Sequence, residues 1–201
     1  MSVKELDKNR LLPEATTSTV TDSTSNNDDG TKVAANRPIK TTSGKIANAQ
    51  DFELSTSDYI TLTNTITDLN TLSVSAWIKL ESTSAWNSIL ASYAGSPDSY
   101  YGIIFAISNT NKIAFYNNGS GWQYGASDID TGWHHIAVRI DSSNNIQFYL
   151  DGGTDGSLIS GSAGLAAENA LYIGKMGAIL TNYMDGIIDE VRYSSSVRAA
   201  N

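Results

Sequence analysis

Hydrophobic and polar residues alternate with a period of two through most of the chain after about residue 46. The segment LSVSAWIKL (residues 72–80) has an aliphatic side chain at every second position, and GWHHIAVRID (132–141) repeats the pattern. A period of two predicts half-buried β-strands, because successive side chains of a strand point to opposite faces. We therefore expect six of these side chains in a core: Leu72, Val74, Ile78, Ile136, Val138 and Ile140.

Further short apolar segments raise the expected number of strands to about ten to twelve. They are DYITLT, NSILASY, YGIIFAIS, KIAFYNN, IQFYLDGG, ALYIGKM and GIIDEVRYS, separated by clusters of Gly, Asn, Ser and Asp. Asp151-Gly152 supplies the residues of a tight hairpin turn, and residues 162–170 are the one helical candidate. Strands at this spacing are typical of an antiparallel sandwich or barrel, so the predicted class is all-β.

The first 45 residues differ from the rest of the chain. All 18 aromatic residues lie at or after Phe52, and 11 of the 17 residues from 15 to 31 are Ser, Thr or Asn. Such a segment cannot hold a core of its own. We expect an extended arm at 1–14, then one domain at 15–201 that begins with a polar entry segment at 15–45. We expect the arm to dock on other copies of the protein or on a particle. The alternatives are that it folds back along its own domain or remains a flexible tail.

Composition and charge remove several classes of function. The chain of 201 residues has no cysteine, which excludes disulfides, iron–sulfur sites and thiol nucleophiles. Residues 51–201 carry 6 basic and 15 acidic side chains, so the domain repels nucleic-acid phosphates. No apolar run suits a signal peptide or a membrane span. We expect a protein made in the cytoplasm without a signal peptide or membrane insertion.

Five motifs, in order, resemble laminin G-like domains of the concanavalin A-like jelly-roll family. They are SGKIANAQDFELSTSDYITL, LSVSAWIKL, GWHHIAVRID with IQFYLDG, ALYIGKM and GIIDEVRYSS, and the resemblance spans roughly residues 15–198. It implies a two-sheet antiparallel jelly-roll sandwich with an extended N-terminal arm. Two features depart from the family: Phe52-Glu53-Leu54 replaces its Phe-Asp-Gly, and its aromatic-rich first strand is missing.

The resemblance extends to enzymes and to calcium sites. Glucan-cutting enzymes of this fold carry a Glu-x-Asp-x-Glu strand, whereas no two glutamates here are four apart, so we predict no enzyme. Many family members bind a structural calcium between the entry loop and the last strand. By position this implies Asp22 and Asp189 as ligands, with Asp28 or Asp29 in reserve. The alternative is a solvated polar loop.

Two segments combine aromatic rings with amide or hydroxyl groups, as sugar recognition requires. We expect them to be loops between strands that form a carbohydrate site, from the residues Tyr93, Tyr100, Tyr101, Asn118, Trp122 and Tyr124. The alternative is that these rings simply pack. His134 and His135 alternate to opposite faces of their strand, which favours a structural role over a metal or general-base role.

Two functions follow. The first is a non-catalytic surface protein, a phage head or tail component or another extracellular protein, that adheres to glycans on a cell surface. The second is a purely structural decoration or assembly protein that contacts other virion proteins through its arm. A carbohydrate hydrolase is the third and least favoured alternative.

Overall fold

The computed structural model describes residues 18–24, 28–65, 71–96, 99–117, 121–161, 170–177 and 182–196. These residues form two antiparallel β-sheets that enclose one hydrophobic core. No α-helix occurs in the described ranges, which contain only short 3₁₀ turns at Ala34–Asn36 and Leu54–Thr56. The arm at 1–14 and residues 162–169 of the helical candidate lie outside the described residues.

Fifteen strands are found in the described part of the chain. In chain order they are β1 (Ser18–Val20), β2 (Gly30–Lys32), β3 (Ile39–Thr41), β4 (Ala49–Phe52), β5 (Ile60–Thr65), β6 (Leu72–Leu80), β7 (Asn87–Ser96), β8 (Ser99–Ile107), β9 (Lys112–Asn117), β10 (Gly121–Asp128), β11 (Trp133–Ile140), β12 (Ile146–Leu150), β13 (Gly153–Thr154), β14 (Ala170–Ile173) and β15 (Gly186–Ser194). The eight-stranded sheet has the order β1-β2-β5-β14-β7-β8-β9-β10. The seven-stranded sheet has the order β13-β12-β11-β6-β15-β4-β3.

The core lies between the sheets and follows the predicted alternation. β6 pairs with β11 on one side and with β15 on the other, so its apolar positions sit at the centre of the seven-stranded sheet. All six side chains predicted for the core are at most 1% exposed. Burial of each aliphatic side chain stabilises the fold by about 1.5–3 kcal/mol. The two-sheet antiparallel sandwich predicted from the sequence is therefore confirmed.

Several elements differ from the expectation. Residues 121–128 form strand β10, although Trp122 and Tyr124 were expected to lie in a loop between strands. The strands of the entry segment are only three residues long, too short to display an alternating pattern. The hairpin turn is as predicted, because Asp151 and Gly152 have positive φ angles of 51° and 85° between β12 and β13.

Hydrogen bonds attach the polar entry segment to both sheets. Lys32 on β2 is 8% exposed, and its Nζ donates to Gln50 Oε1 at 3.0 Å, on a strand of the other sheet. Burial lowers the pKa of Lys32. Tyr193 on β15 donates its hydroxyl hydrogen to Asp28 Oδ2. The entry segment thus gains order from contacts with the sandwich, not from a core of its own.

Gly174 is a point where backbone and core meet closely. Its φ is +83°, and an added Cβ would lie 2.4 Å from the ring of Phe52, which is fully buried. Gly152 has nearly the same φ, +85°, but nothing lies within 4 Å of its Cβ position. A comparison of alanine substitutions at the two glycines therefore separates the energetic cost of backbone strain from that of steric overlap.

We predict that Gly174→Ala destabilises the protein by about 1–3 kcal/mol more than Gly152→Ala, because only the first overpacks the core. The measurement is the free energy of unfolding from denaturant titrations of both variants. Equal losses in the two variants would contradict the packing around Phe52.

Candidate functional site

The outer face of the eight-stranded sheet carries a cluster of aromatic rings. We call the four residues Trp86, Tyr116, Trp122 and Tyr124 the aromatic face. Tyr116 on β9 pairs with Trp122 on β10, and Tyr124 lies two residues farther along β10. The ring centroid of Trp122 is 4.5 Å from that of Trp86, 5.4 Å from that of Tyr116 and 6.4 Å from that of Tyr124. These separations fall in the range of favourable ring packing.

Small side chains form the floor beneath these rings. The floor consists of Ala91, Ile104, Ala106 and Met176, which are at most 2% exposed. Ala114 extends it toward β10, because it is fully buried and pairs with Ala106 on one side and Tyr124 on the other. Trp86, Tyr116 and Trp122 pack on this second apolar cluster, which lies on the opposite side of the sheet from the main core. Because alanine fills little volume above a sheet, the larger rings stand above the floor. Tyr124 is 45% exposed.

A second aromatic group lies on the same face. Tyr172 on β14 pairs with Ala91, and its ring contacts Tyr59 edge-on at 6.0 Å between centroids. Lys175 Nζ lies 4.9 Å from the Tyr59 ring centroid and 5.2 Å from that of Tyr172. Rings therefore flank the apolar floor from both sides.

Charge is balanced at the end of the β9–β10 ladder beyond Tyr124. Lys112, on the same face of β9 as Tyr116, forms an ion pair with Asp128 at 2.7 Å between Nζ and Oδ1. The Lys112 Nζ also donates to the backbone oxygen of Ala126 at 2.6 Å. The aromatic face therefore offers the exposed ring of Tyr124 and three half-buried rings, and the charges of Lys112 and Asp128 at its end are paired.

The structure brings together two of the six residues predicted for a carbohydrate site. Trp122 and Tyr124 lie on the same face of one strand. The backbones of Tyr93, Tyr100 and Tyr101 belong to the β7–β8 ladder, but their side chains lie outside the described residues. Asn118 lies outside them as well. The described residues of both expected loops therefore belong to strands, and the described rings are presented by a sheet surface.

Sequence reasoning missed Trp86, Tyr116 and Tyr172. The signal for Tyr116 was present in KIAFYNN, because a period of two that buries Ile113 and Phe115 turns Tyr116 outward. Trp86 precedes β7 and belongs to no alternating pattern. Its place on the face depends on tertiary packing alone.

The residues implied for calcium accept hydrogen bonds from different backbone segments. The Asp22 carboxylate accepts hydrogen bonds from the Thr24 and Asp28 backbones at 2.9 and 3.1 Å. Asp189 is 6% exposed, lies beside Trp77 on the outer face of β15, and accepts from the Ile46 backbone at 2.8 Å. Asp22 lies beside Asp28, whose carboxylate accepts the Tyr193 hydroxyl hydrogen. The calcium site implied for Asp22 and Asp189 stays a prediction.

Among the described residues, one other acidic group is compact. Asp51, Glu53 and Glu81 bring carboxylate oxygens within 4.8 Å of one another. Exposed carboxylates commonly cluster without a metal, and this group lies at the seven-stranded sheet, away from the aromatic face. It does not define a metal site by itself.

The comparisons with known proteins support the fold. A family model described as the concanavalin A-like lectin/glucanases superfamily matches residues 54–201. A search of curated protein sequences finds no significant match. The described part of the chain contains no helix with the length and hydropathy of a membrane span.

Solved structures with the same architecture include domain 4 of AbnA, an extracellular arabinanase from Geobacillus stearothermophilus, in complex with arabinotriose. The identity is 20% and the TM-score 0.66, over 85% of this chain and 84% of that chain. The CBM40 domain of the Ruminococcus gnavus IT-sialidase, bound to α2,3-sialyllactose, has 11% identity and a TM-score of 0.56 over 66% of this chain and 80% of its own. Tailspike protein 2 of bacteriophage CBA120 has 13% identity and a TM-score of 0.57 over 78% of this chain and 27% of its own. At these identities the likeness is one of fold.

His134, the second residue of β11, lies between two carboxylates. Its Nδ1 lies 2.9 Å from Asp151 Oδ2 and its Nε2 lies 3.0 Å from Asp130 Oδ1. Two acceptors require two ring N–H donors, so this arrangement stabilises the imidazolium. Burial lowers the pKa of His134, but the hydrogen bonds to Asp151 and Asp130 outweigh it and raise the pKa above its ordinary value. The geometry is that of a structural ion pair.

We predict a pH-dependent contribution of His134 to stability. Because its pKa is higher in the folded state, the contribution is complete below the ordinary value of 6.5 and disappears as the pH rises through the folded-state pKa. The difference in melting temperature between wild type and His134→Gln should therefore shrink as the pH rises from about 6 to 9. A difference independent of pH across this range would contradict the assignment.

Proposed function

Because the chain belongs to the concanavalin A-like lectin/glucanases superfamily, we propose that it is a non-catalytic protein that binds carbohydrate through the aromatic face. One observation carries the proposal. Trp122 packs among three other aromatic rings above a small apolar cluster on the eight-stranded sheet. The described residues of the seven-stranded sheet contain no comparable cluster of four rings.

The chemistry of the face suits a sugar. A pyranose or furanose ring has an apolar C–H surface that stacks on an aromatic ring, and hydroxyls around its edge that hydrogen-bond to polar groups. The rings around Trp122 provide the stacking surface, and the polar groups at Lys112 and Asp128 provide hydrogen-bond partners for the hydroxyls. Because these two charges are paired, the ligand that fits best is a neutral oligosaccharide.

The proposal that the protein is not an enzyme rests on where its carboxyl side chains lie. Hydrolysis of a glycosidic bond uses two carboxyl groups that flank the bond. The compact group of Asp51, Glu53 and Glu81 lies at strands β4 and β6 of the other sheet. A sugar stacked on Trp122 contacts the outer face of the eight-stranded sheet, away from that group. Asp128, the carboxylate beside the aromatic face on β10, is held in its ion pair with Lys112.

The proposed setting is the surface of a virion or of another extracellular structure. Support comes from structures with the same architecture: a bacteriophage tailspike protein shares it, and so do two domains with bound saccharides. In this setting the partners are cell-surface glycans, and copies of the protein or virion proteins that meet the N-terminal arm. A decoration protein without glycan binding is the alternative that the following experiment separates.

We predict that Trp122→Ala weakens binding of a neutral oligosaccharide by at least about tenfold, a loss of about 1.4 kcal/mol or more. A glycan array that includes arabinotriose and sialyllactose identifies the ligand, and calorimetry with the wild type and the variant gives the affinities. Removal of the indole deletes the stacking surface without touching the main core.

Trp77→Ala is the matched control, because Trp77 is also a half-buried tryptophan on an outer sheet face but belongs to the other sheet. Its affinity should stay within about twofold of the wild type. Absence of any glycan on the array, or equal losses in both variants, would overturn the proposal. Release of reducing ends from the bound glycan would overturn its non-catalytic part.

A further inference from the structure

Strand β10, which carries Trp122 and Tyr124, is an edge strand with an interruption. It pairs regularly with β9 from Gly121 to Tyr124, and the register then shifts so that Asp128 faces Lys112. Three residues of β10, 125–127, stand opposite the single residue Ile113. The backbone N–H and C=O groups of these three residues are partly removed from the ladder. Because β10 is an edge strand, no second neighbouring strand forms hydrogen bonds with them.

A buried carboxylate from the other sheet accepts a backbone hydrogen bond at this interruption. Asp155 follows β13 and is 3% exposed. Its Oδ1 accepts a hydrogen bond from the Ser127 backbone N–H at 2.8 Å, and its own N–H donates to the Phe148 oxygen at 2.9 Å. Asp155 thus joins β12 of the seven-stranded sheet to β10 of the eight-stranded sheet.

The fit between Asp155 and Gly125 is close. A Cβ on Gly125 would lie 2.1 Å from Asp155 Oδ2, so the carboxylate fills the space that a side chain would need. The backbone of Gly125 does not have a positive φ, so a side chain is excluded here by Asp155 and not by backbone conformation. Among the described residues, Asp155 Oδ2 has no hydrogen-bond partner, and its position is set by packing.

From this geometry we infer that Asp155 is a positioning residue for the aromatic face, fixing the bulge of β10 so that Trp122 and Tyr124 are held ready for a ligand. The inference rests on the proposed function. Tyr124 adjoins Gly125 directly, so the point where β10 leaves the ladder decides how the preceding residues are presented. A site held rigid before binding loses less entropy when it binds.

The test compares three single variants of the full chain. Asp155→Ala removes the acceptor of Ser127. Asp155→Asn keeps an oxygen at Oδ1 and is the conservative replacement. Asp141→Ala is the matched control, because Asp141 also accepts backbone N–H groups, from Ser143 and Asn145 at 2.9 and 3.0 Å, but in a turn of the other sheet.

The primary measurement is amide hydrogen exchange without any ligand. We expect Asp155→Ala to speed exchange in β10 by about tenfold or more, while Asp155→Asn restores most of the protection. Asp141→Ala should speed exchange only at residues 142–145. Affinity for the oligosaccharide selected by the array should fall about fivefold or more in Asp155→Ala and stay near the wild-type value in the other two variants.

Gly125→Ala provides an independent variant if Asp155→Ala does not fold. In the wild-type background it should weaken binding, because its Cβ displaces the Asp155 carboxylate. Where Asp155→Ala does fold, adding Gly125→Ala to it should have little further effect, because the contact is shared. Unchanged exchange in β10 would overturn the inference even if glycans bind. Faster exchange with an unchanged affinity would overturn it too, since Asp155 would then serve the fold alone. If β10 exchange responds as expected but the wild type binds no glycan, the proposed function fails and takes the functional part of the inference with it.

Discussion

The alternation of side chains across each sheet is the constraint on which the rest of the structure depends. On β6 the residues Leu72, Val74, Ala76, Ile78 and Leu80 are at most 2% exposed, so the four residues between them must face outward. A shift of one residue would bury Trp77 and Lys79 and expose the core. The free energy of the core therefore decides which side chains are available to a ligand.

The same constraint builds the aromatic face. On β9 the burial of Ile113 and Phe115 turns Ala114 and Tyr116 outward, and pairing with β10 places Trp122 next to Tyr116. The rings are accessible because alanines occupy the neighbouring outward positions. Interior packing fixes one side of the sheet, and the choice between alanine and aromatic residues shapes the other.

The sequence was informative wherever a strand is long and bordered by two neighbours. The bounds of β6 and β15 agree with the segments LSVSAWIKL and GIIDEVRYS, because central strands need continuous apolar positions. β10 was missed because GWQYGASD has no aliphatic alternation, and an edge strand with a bulge does not require one. Trp86 and Asp155 could not be found, because each acts through contacts with residues distant in the chain.

A local irregularity in β15 changes which side chains share a face. Asp189 and Tyr193 are four residues apart, and in a regular strand both would face the same side. Glu190 has a φ of 50°, and the register shifts between Asp189 and Arg192, so Tyr193 packs on the core while Asp189 lies on the outer face. A Tyr193–Asp28 hydrogen bond links the entry segment to the last strand, and calcium binding by Asp22 and Asp189 stays a prediction.

The central claim, that the aromatic face binds the ligand, is tested most directly by NMR of the four indole N–H groups during titration with the neutral oligosaccharide that the array selects. Trp86 and Trp122 report on one sheet, and Trp77 and Trp133 on the other. The account predicts that the signals of Trp86 and Trp122 move with saturable binding while the other two stay fixed; movement of Trp77 and Trp133 alone, or of none of the four at saturation, would contradict it.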